Sequence, residues 1–236
     1  TMSVPTFIMG RKKDVKNIND MQFKRLEGDT YCYKKKIIFY YEKPNDKTRI
    51  KYDDRKKHPY IDWPRKDVID DITRRIKTDL GPDELFLKKG ALVMLTANID
   101  VDNGLCNGLR GNIKAFMSDG NPVVEFENGI TTTIYPRSFK SAYEDTHLKN
   151  YPNIPIYAPF VPLILAYAIT IHKCQGMTIK NVVCKLDKKN IFTDHMGYCL
   201  LSRVTDLKGL FIIGSIDYTV FTVDKKVKRF YDTIIH

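Results

Sequence analysis

The chain has 236 residues, 43% hydrophobic and 28% charged, which is enough apolar material for one large core or two small ones and excludes wholesale disorder. A formal charge of +11 and a pI of about 9.3 favour a polyanionic partner, nucleic acid before membrane. No apolar run is long enough to span a bilayer, the most apolar stretch being Phe160 to Ile171, and no secretory signal pattern opens the sequence.

The basic excess is uneven: residues 1–60 hold sixteen Lys and Arg against eight Asp and Glu. The five cysteines, Cys32, Cys106, Cys174, Cys184 and Cys199, are odd in number and form no Cys-x-x-Cys pair. That pattern points to reduced thiols in an intracellular compartment rather than a disulfide framework. His172 and Cys174 are two apart, but no second pair follows at zinc spacing, so no metal site is expected.

In chain order, Val4 to Met9 reads as a buried strand. From Asp14 the apolar residues Val15, Ile18, Met21 and Leu26 recur at helical spacing. A strand, a Gly-Arg-Lys-Lys turn and a helix open an α/β unit. Thr30 to Tyr41, rich in Tyr, Ile and Phe, reads as one long strand or a pair. Pro44 to Pro59 is basic and poor in apolar residues, the composition of a loop or ribbon. Asp67 to Leu80 returns to helical spacing, with Val68, Ile72 and Ile76 on one face and Gly81-Pro82 as the stop.

Ala91 to Leu95, Gly111 to Met117, Pro122 to Phe126 and Thr131 to Tyr135 then read as short strands. Among them lie Asn107-Gly108, Asp119-Gly120 and Asn128-Gly129, dipeptides that tolerate the positive φ of tight hairpins. Regular short strands with such turns predict a small antiparallel barrel. After a Tyr- and Pro-rich connector, Tyr143 to Pro162, the α/β pattern resumes. Ile164 to Ile169 reads as a strand or the start of a buried helix, Asn181 to Leu186 as a strand and His195 to Arg203 as a helix. Leu210 to Gly214 reads as a last buried strand and Lys225 to Ile234 as a terminal helix. The expected fold is α/β with a parallel sheet, interrupted by a barrel. The expected division is 1–89 with its basic loop near 44–59, an insert over 90–140, and 141–236.

Three segments carry candidate chemistry: Ala166-Tyr-Ala-Ile-Thr-Ile-His-Lys-Cys-Gln-Gly-Met-Thr178, Met196-Gly-Tyr-Cys-Leu-Leu-Ser-Arg-Val-Thr-Asp-Leu-Lys-Gly-Leu210, and Gly90 to Asn98 continued by Asn107 to Gly111. They resemble the C-terminal motifs of superfamily 1 helicases that move 5′ to 3′. That RecD-like group includes the petite-integration-frequency helicases and the helicase subunit of herpesvirus-type helicase–primases. Within the first, Ala168-Ile-Thr-Ile-His-Lys-Cys-Gln-Gly-Met-Thr178 is similar to motif V, and Leu-Leu-Ser-Arg-Val-Thr205 is similar to motif VI. Thr6-Phe-Ile-Met-Gly-Arg-Lys-Lys-Asp-Val-Lys-Asn-Ile-Asn19 resembles motif IV, less specifically. The resemblance runs from about residue 4 to residue 215. It implies a RecA-like domain 2A interrupted by an SH3-like barrel, 2B.

The resemblance implies a role for each matched residue. Arg203 is the candidate arginine finger, a planar cation that bonds phosphate oxygens in pairs. Gln175 and Gly176 face the nucleotide, where a glycine lets its N–H approach phosphate. Arg11 reaches the nucleotide or the DNA backbone. Thr170, His172 and Lys173 face single-stranded DNA, with Arg110 as a further DNA contact. The partners implied are single-stranded DNA, an N-terminal RecA-like domain and, through the helicase–primase likeness, a primase. The expected site of action is the nucleus or a viral replication site, and no membrane.

The departures are informative. The chain has no Gly-Lys dipeptide, so no phosphate-cradling Gly-x-x-x-x-Gly-Lys loop, and no Asp-Glu pair suited to Mg²⁺. The resemblance assigns both, and so most of the ATP·Mg²⁺ site, to a first motor domain, and this piece alone is expected to be inactive. Cys174 stands where relatives usually have serine, and Tyr40 to Pro64 matches no motif. Two other readings stay open on the residues: a non-enzymatic nucleic-acid-binding module, and a replication scaffold with vestigial motor residues.

Overall fold

The computed structural model describes residues 4–43, 48–79, 83–138 and 156–234. Among these, one compact unit takes in 4–27, 91–94 and 165–234, and a second takes in 28–90 and 95–164.

The first unit is built on an all-parallel sheet in the order Ala168–Thr170, Thr6–Met9, Val182–Cys184, Leu210–Ile212. Phe7 stands opposite Ala168 on one side and Val183 on the other, so Thr6–Met9 is bonded along both edges. Sheets of this kind are covered on both faces and draw on apolar runs rather than alternation. The strands fit: Ile8, Ala168, Ile169 and Val182 are almost wholly buried. The strand ends at Gly10, and helix Lys12–Lys24 follows at once. Asp14 lies in its first turn and Lys24 in its last, each matched to the helix dipole.

The inward face of that helix differs from the one expected. Met21 is exposed, and the buried residue is Asn19. Ala168–Thr170 lies at an edge of the sheet, and Asn19 caps that edge. Its carboxamide oxygen accepts the Ala168 N–H at 2.9 Å, and its Nδ2 donates to the Ala168 carbonyl at 3.0 Å. An edge left with unpaired backbone groups is costly when buried. A hydrophobic pattern cannot reveal this, because the residue doing it is polar.

The second unit begins at Gly28. The reason is pairing across a long separation. Tyr31–Lys34 runs antiparallel to Glu84–Leu87, a strand the sequence did not announce. Thr30 to Tyr41 is therefore two strands, for Ile38–Glu42 pairs instead with Arg49–Lys51 and with Ile156–Tyr157. The segment expected as a basic loop holds that Arg49–Lys51 strand and a 3₁₀ turn, Tyr52–Lys57. Residues 44–47, the Gly81-Pro82 stop and most of the Tyr143–Pro162 connector lie outside the described residues.

Helix Lys66–Asp79 buries Ile69, Ile72 and Ile76 against Phe39, Ile156, Ala158 and Phe160, with Trp63 and Tyr52 packed alongside. Full burial of each such isoleucine contributes about 1.5–3 kcal/mol. Arg110–Phe116, Pro122–Phe126 and Thr131–Thr133 form an antiparallel meander where the barrel strands were expected. Its turns use Gly120 at φ +81° and Gly129 at φ +87°, as Asp-Gly and Asn-Gly hairpins require. The fold is mixed α/β, a parallel sheet together with antiparallel sheets. No helix among the described residues is long and apolar enough to cross a membrane.

Asn19→Ala leaves the edge-facing N–H and carbonyl of Ala168 buried without these partners. It should lower unfolding stability by about 2–4 kcal/mol in a denaturant titration.

Candidate functional site

The candidate site lies in the first unit, where Gly10, Arg11 and the 171–176 turn follow the carboxyl ends of two parallel strands, a place where ligands of open α/β sheets gather. The chain leaves Thr6–Met9 through Gly10, whose N–H donates to Asn190 Oδ1 at 2.6 Å. A side chain at Gly10 would lie 1.9 Å from the Asn190 carbonyl oxygen, so only glycine fits. Asn190 is itself fixed: its N–H donates to Asp187 Oδ1 at 2.9 Å, and its Nδ2 to the Lys185 carbonyl at 2.7 Å. Arg11 follows, exposed, with its guanidinium carbon 5.6 Å from the centre of the Phe192 ring. That spacing is within cation–π reach.

The neighbouring strand leaves through Thr170. Its carbonyl accepts from Lys173 N–H at 3.0 Å and from Cys174 N–H at 3.1 Å, winding residues 171–176 into a compact turn. Thr170 Oγ1 accepts from the same Lys173 N–H at 3.2 Å, so the hydroxyl braces the turn. Ile171 N–H still donates to Met9, extending the sheet by one bond. Within the turn, Cys174 is buried while His172, Gln175 and Gly176 are exposed. Lys173 is half-buried, and the loss of water around its ammonium lowers its pKa. Gly176 takes φ +75°, and nothing lies within 4 Å of where a Cβ would stand, so its need for glycine is conformational, not steric.

The third segment forms helix Met196–Leu201, held by the buried Met196 and Leu200. Arg203 follows and turns back to the motif V segment. Its Nε donates to the Cys199 carbonyl at 3.0 Å, Nη1 to the Met177 carbonyl at 3.3 Å, and Nη2 to Ser202 Oγ at 2.8 Å. Its own carbonyl accepts from Ile179 N–H at 2.9 Å. The guanidinium is half-buried beside the chain that has just left Gly176.

Arg203 is thus brought to the Gln175–Gly176 turn, and Thr170, His172 and Lys173 belong to that same turn. Arg11 projects from the adjacent strand end, where Met9 stands opposite Thr170. Arg110 lies apart from these residues in the fold's division into units. It belongs to the second unit, is only 6% exposed, and pairs with Glu127 at 3.0 Å. Its guanidinium is thus paired to a carboxylate inside a sheet. Sequence reasoning missed Asn190 and Phe192. The trace of them is Asp187-Lys-Lys-Asn190, in which an aspartate accepts from the N–H groups two and three residues on.

Residues 75–116 match the family model described as DNA helicase Pif1, 2B domain. Over 151 residues, 63% of this chain and 22% of the relative, the sequence is 38% identical to the ATP-dependent DNA helicase PIF1 of Xenopus laevis. The crystal structure of Pif1 helicase from Candida albicans superposes with a TM-score of 0.70 at 24% identity, covering 98% of this chain and 50% of that one. The chain is thus similar to the C-terminal region of Pif1 helicases in sequence and in fold. It spans half or less of the length of these Pif1 proteins. A Bacteroides Pif1 solved bound to ssDNA has the same fold, with a TM-score of 0.60 at 21% identity over 97% of this chain and 45% of that one.

Two glycines of this site make opposite predictions about cause. Gly10→Ala drives a Cβ into backbone and should cost about 1–3 kcal/mol or more. Gly176→Ala meets no atom and should cost about 1–2 kcal/mol through its left-handed φ alone. Thermal unfolding of both variants checks the order, with Gly10→Ala the less stable.

Proposed function

We propose that this region supplies the second motor domain of an ATP-dependent DNA helicase, with Arg203 as the arginine finger and the 170–176 turn as part of the single-stranded DNA track. The observation that carries the reading is the position of Arg203, whose guanidinium rests against Met177 one residue past Gly176. The names of the Pif1 relatives support the helicase activity, and the Bacteroides complex supports the DNA partner.

The donor set fits one side of a bound nucleotide. Gly176 offers an exposed, uncrowded backbone, and Arg203 has N–H donors beyond the three engaged by Cys199, Met177 and Ser202. ATP with Mg²⁺, when bound, supplies the phosphoryl group whose transfer to water drives movement, and the metal is assigned to the first motor domain. Arg203 swings from the Met177 carbonyl to the γ-phosphate oxygens as the domains close, and its charge offsets the one that develops there. Arg11 supports the same nucleotide from the neighbouring strand end. Because Arg203 is bonded to Met177, the residue that follows the 171–176 turn, displacement of the arginine shifts the turn. His172 and Lys173 carry that shift to DNA phosphates. A primase is a further proposed partner, and the nucleus or a viral replication site the proposed place of action.

In the full-length protein, Arg203→Ala should lower DNA-stimulated ATP hydrolysis about a thousandfold or more and leave single-stranded DNA affinity within about threefold. Arg203→Lys should not restore it, because an ammonium lacks the planar fork. Hydrolysis near the parent rate would overturn the assignment. Loss of DNA binding alongside it would favour a simple nucleic-acid-binding module.

Lys173→Met should weaken DNA binding for every sequence tested. It should also reduce the slope of log affinity against log salt by about one, the mark of one lost phosphate contact.

A further inference from the structure

Two thiols meet beneath the arginine. Cys174 Sγ donates to the Ile171 carbonyl at 3.0 Å, and Cys199 Sγ lies 3.9 Å from the same oxygen. One sulfur belongs to the motif V turn and the other to helix Met196–Leu201, twenty-five positions apart in sequence but converging on one acceptor. Cys174 is fully buried and Cys199 half-buried, so only the second is open to solvent.

The surroundings set the chemistry of the pair. Burial pushes the Cys174 thiol up to about 12, Cys199 adds to that by its charge and hydrogen bond, and the Arg203 guanidinium opposes it. A buried neutral thiol resists direct oxidation, whereas a half-exposed neighbour can be oxidised first and then resolved by the buried one. The remaining cysteines are placed otherwise. Cys184 is buried in the sheet, with its thiol raised to about 11, and Cys32 and Cys106 belong to the second unit.

We propose that Cys174 and Cys199 are a modification site, an oxidisable thiol pair that a hydroperoxide converts into a disulfide. The thiolate of Cys199 attacks the peroxide oxygen. The O–O bond breaks, a sulfenic acid forms on Cys199, and water or an alcohol leaves. Cys174 Sγ then attacks the Cys199 sulfur, its proton departs with the hydroxyl as a second water, and the S–S bond closes. The two thiols lose two electrons and the peroxide gains them. Closure needs the two Cβ atoms about 3.8 Å apart, and the turn and helix that carry them already share the Ile171 carbonyl.

The consequence rests on the proposed role of Arg203. The carbonyls that hold its guanidinium belong to Cys199 and to Met177, three residues past Cys174. A disulfide welds the two carriers together and opposes the swing of Arg203 toward a nucleotide, so oxidation arrests the motor reversibly.

The test begins with this 236-residue chain, reduced and then exposed to hydrogen peroxide. The expected result is a mass lower by two hydrogens, a fall in free thiols from five to three, and a cross-linked peptide joining Cys174 to Cys199. Dithiothreitol should reverse all three. Cys199→Ser and, separately, Cys174→Ser should each abolish the cross-link, so failure of one variant to fold leaves the other decisive. Addition of oxygen without a cross-link, or a disulfide between other cysteines, overturns the site whatever the helicase reading. In the full-length protein, the ratio of oxidised to reduced ATP hydrolysis should fall about tenfold for the parent sequence and stay near one for Cys199→Ser. A mapped cross-link with an unchanged ratio overturns the regulation.

Discussion

The bonds between Arg203 and the backbone that follows Gly176 organise the site. The side chain donates to the carbonyls of Met177 and Cys199, and the main-chain carbonyl accepts from Ile179. One residue thereby ties the end of helix Met196–Leu201 to the turn after Ala168–Thr170. Without that tie the two segments would share a sheet but not a fixed distance. Carbonyls are weaker partners for a guanidinium than phosphate oxygens, so the arrangement holds the arginine without trapping it. A residue meant only for structure is better served by a carboxylate, and Arg110 has one in Glu127.

The tie has value only if the turn has a firm base, and the sheet provides it. Thr6–Met9 is flanked on both sides by parallel partners, and its edge neighbour is closed by the Asn19 carboxamide. These strands are only three or four residues long, too few for backbone bonding alone to set their position. Polar side chains supply the remaining precision: Asn19 at the edge, Asn190 behind Gly10, and the Thr170 hydroxyl inside the turn. The candidate ligand contacts Arg11, His172, Lys173, Gln175 and Gly176 project from a frame fixed by groups that never leave the protein.

The parallel sheet, the helix after Gly10 and the helix before Arg203 were legible from the sequence, because apolar runs and helical spacing coincide there with Gly and polar breaks. The juxtaposition of Arg203 with the Gln175–Gly176 turn was legible too, through the likeness of two segments to known motifs. The boundary at Gly28 was not. It depends on Tyr31–Lys34 pairing with Glu84–Leu87, fifty or more positions away, and no local pattern encodes a partner at that distance. Asn19, Asn190 and the convergence of Cys174 with Cys199 were also hidden. Each is a polar residue whose meaning comes from where the chain returns, and periodicity reports only apolar faces. The pairing of Arg110 with Glu127 was hidden for a related reason: a basic residue beside a hairpin glycine gives no local sign of its carboxylate partner.

The account comes down to where one guanidinium goes when a nucleotide is present. The direct measurement is a structure of the full-length protein with ADP and aluminium fluoride, a mimic of phosphoryl transfer. The account predicts that Arg203 leaves the Met177 carbonyl and bonds the fluoride ligands. An Arg203 that still rests on Met177 and Cys199, with the fluoroaluminate neutralised by other groups, would contradict it.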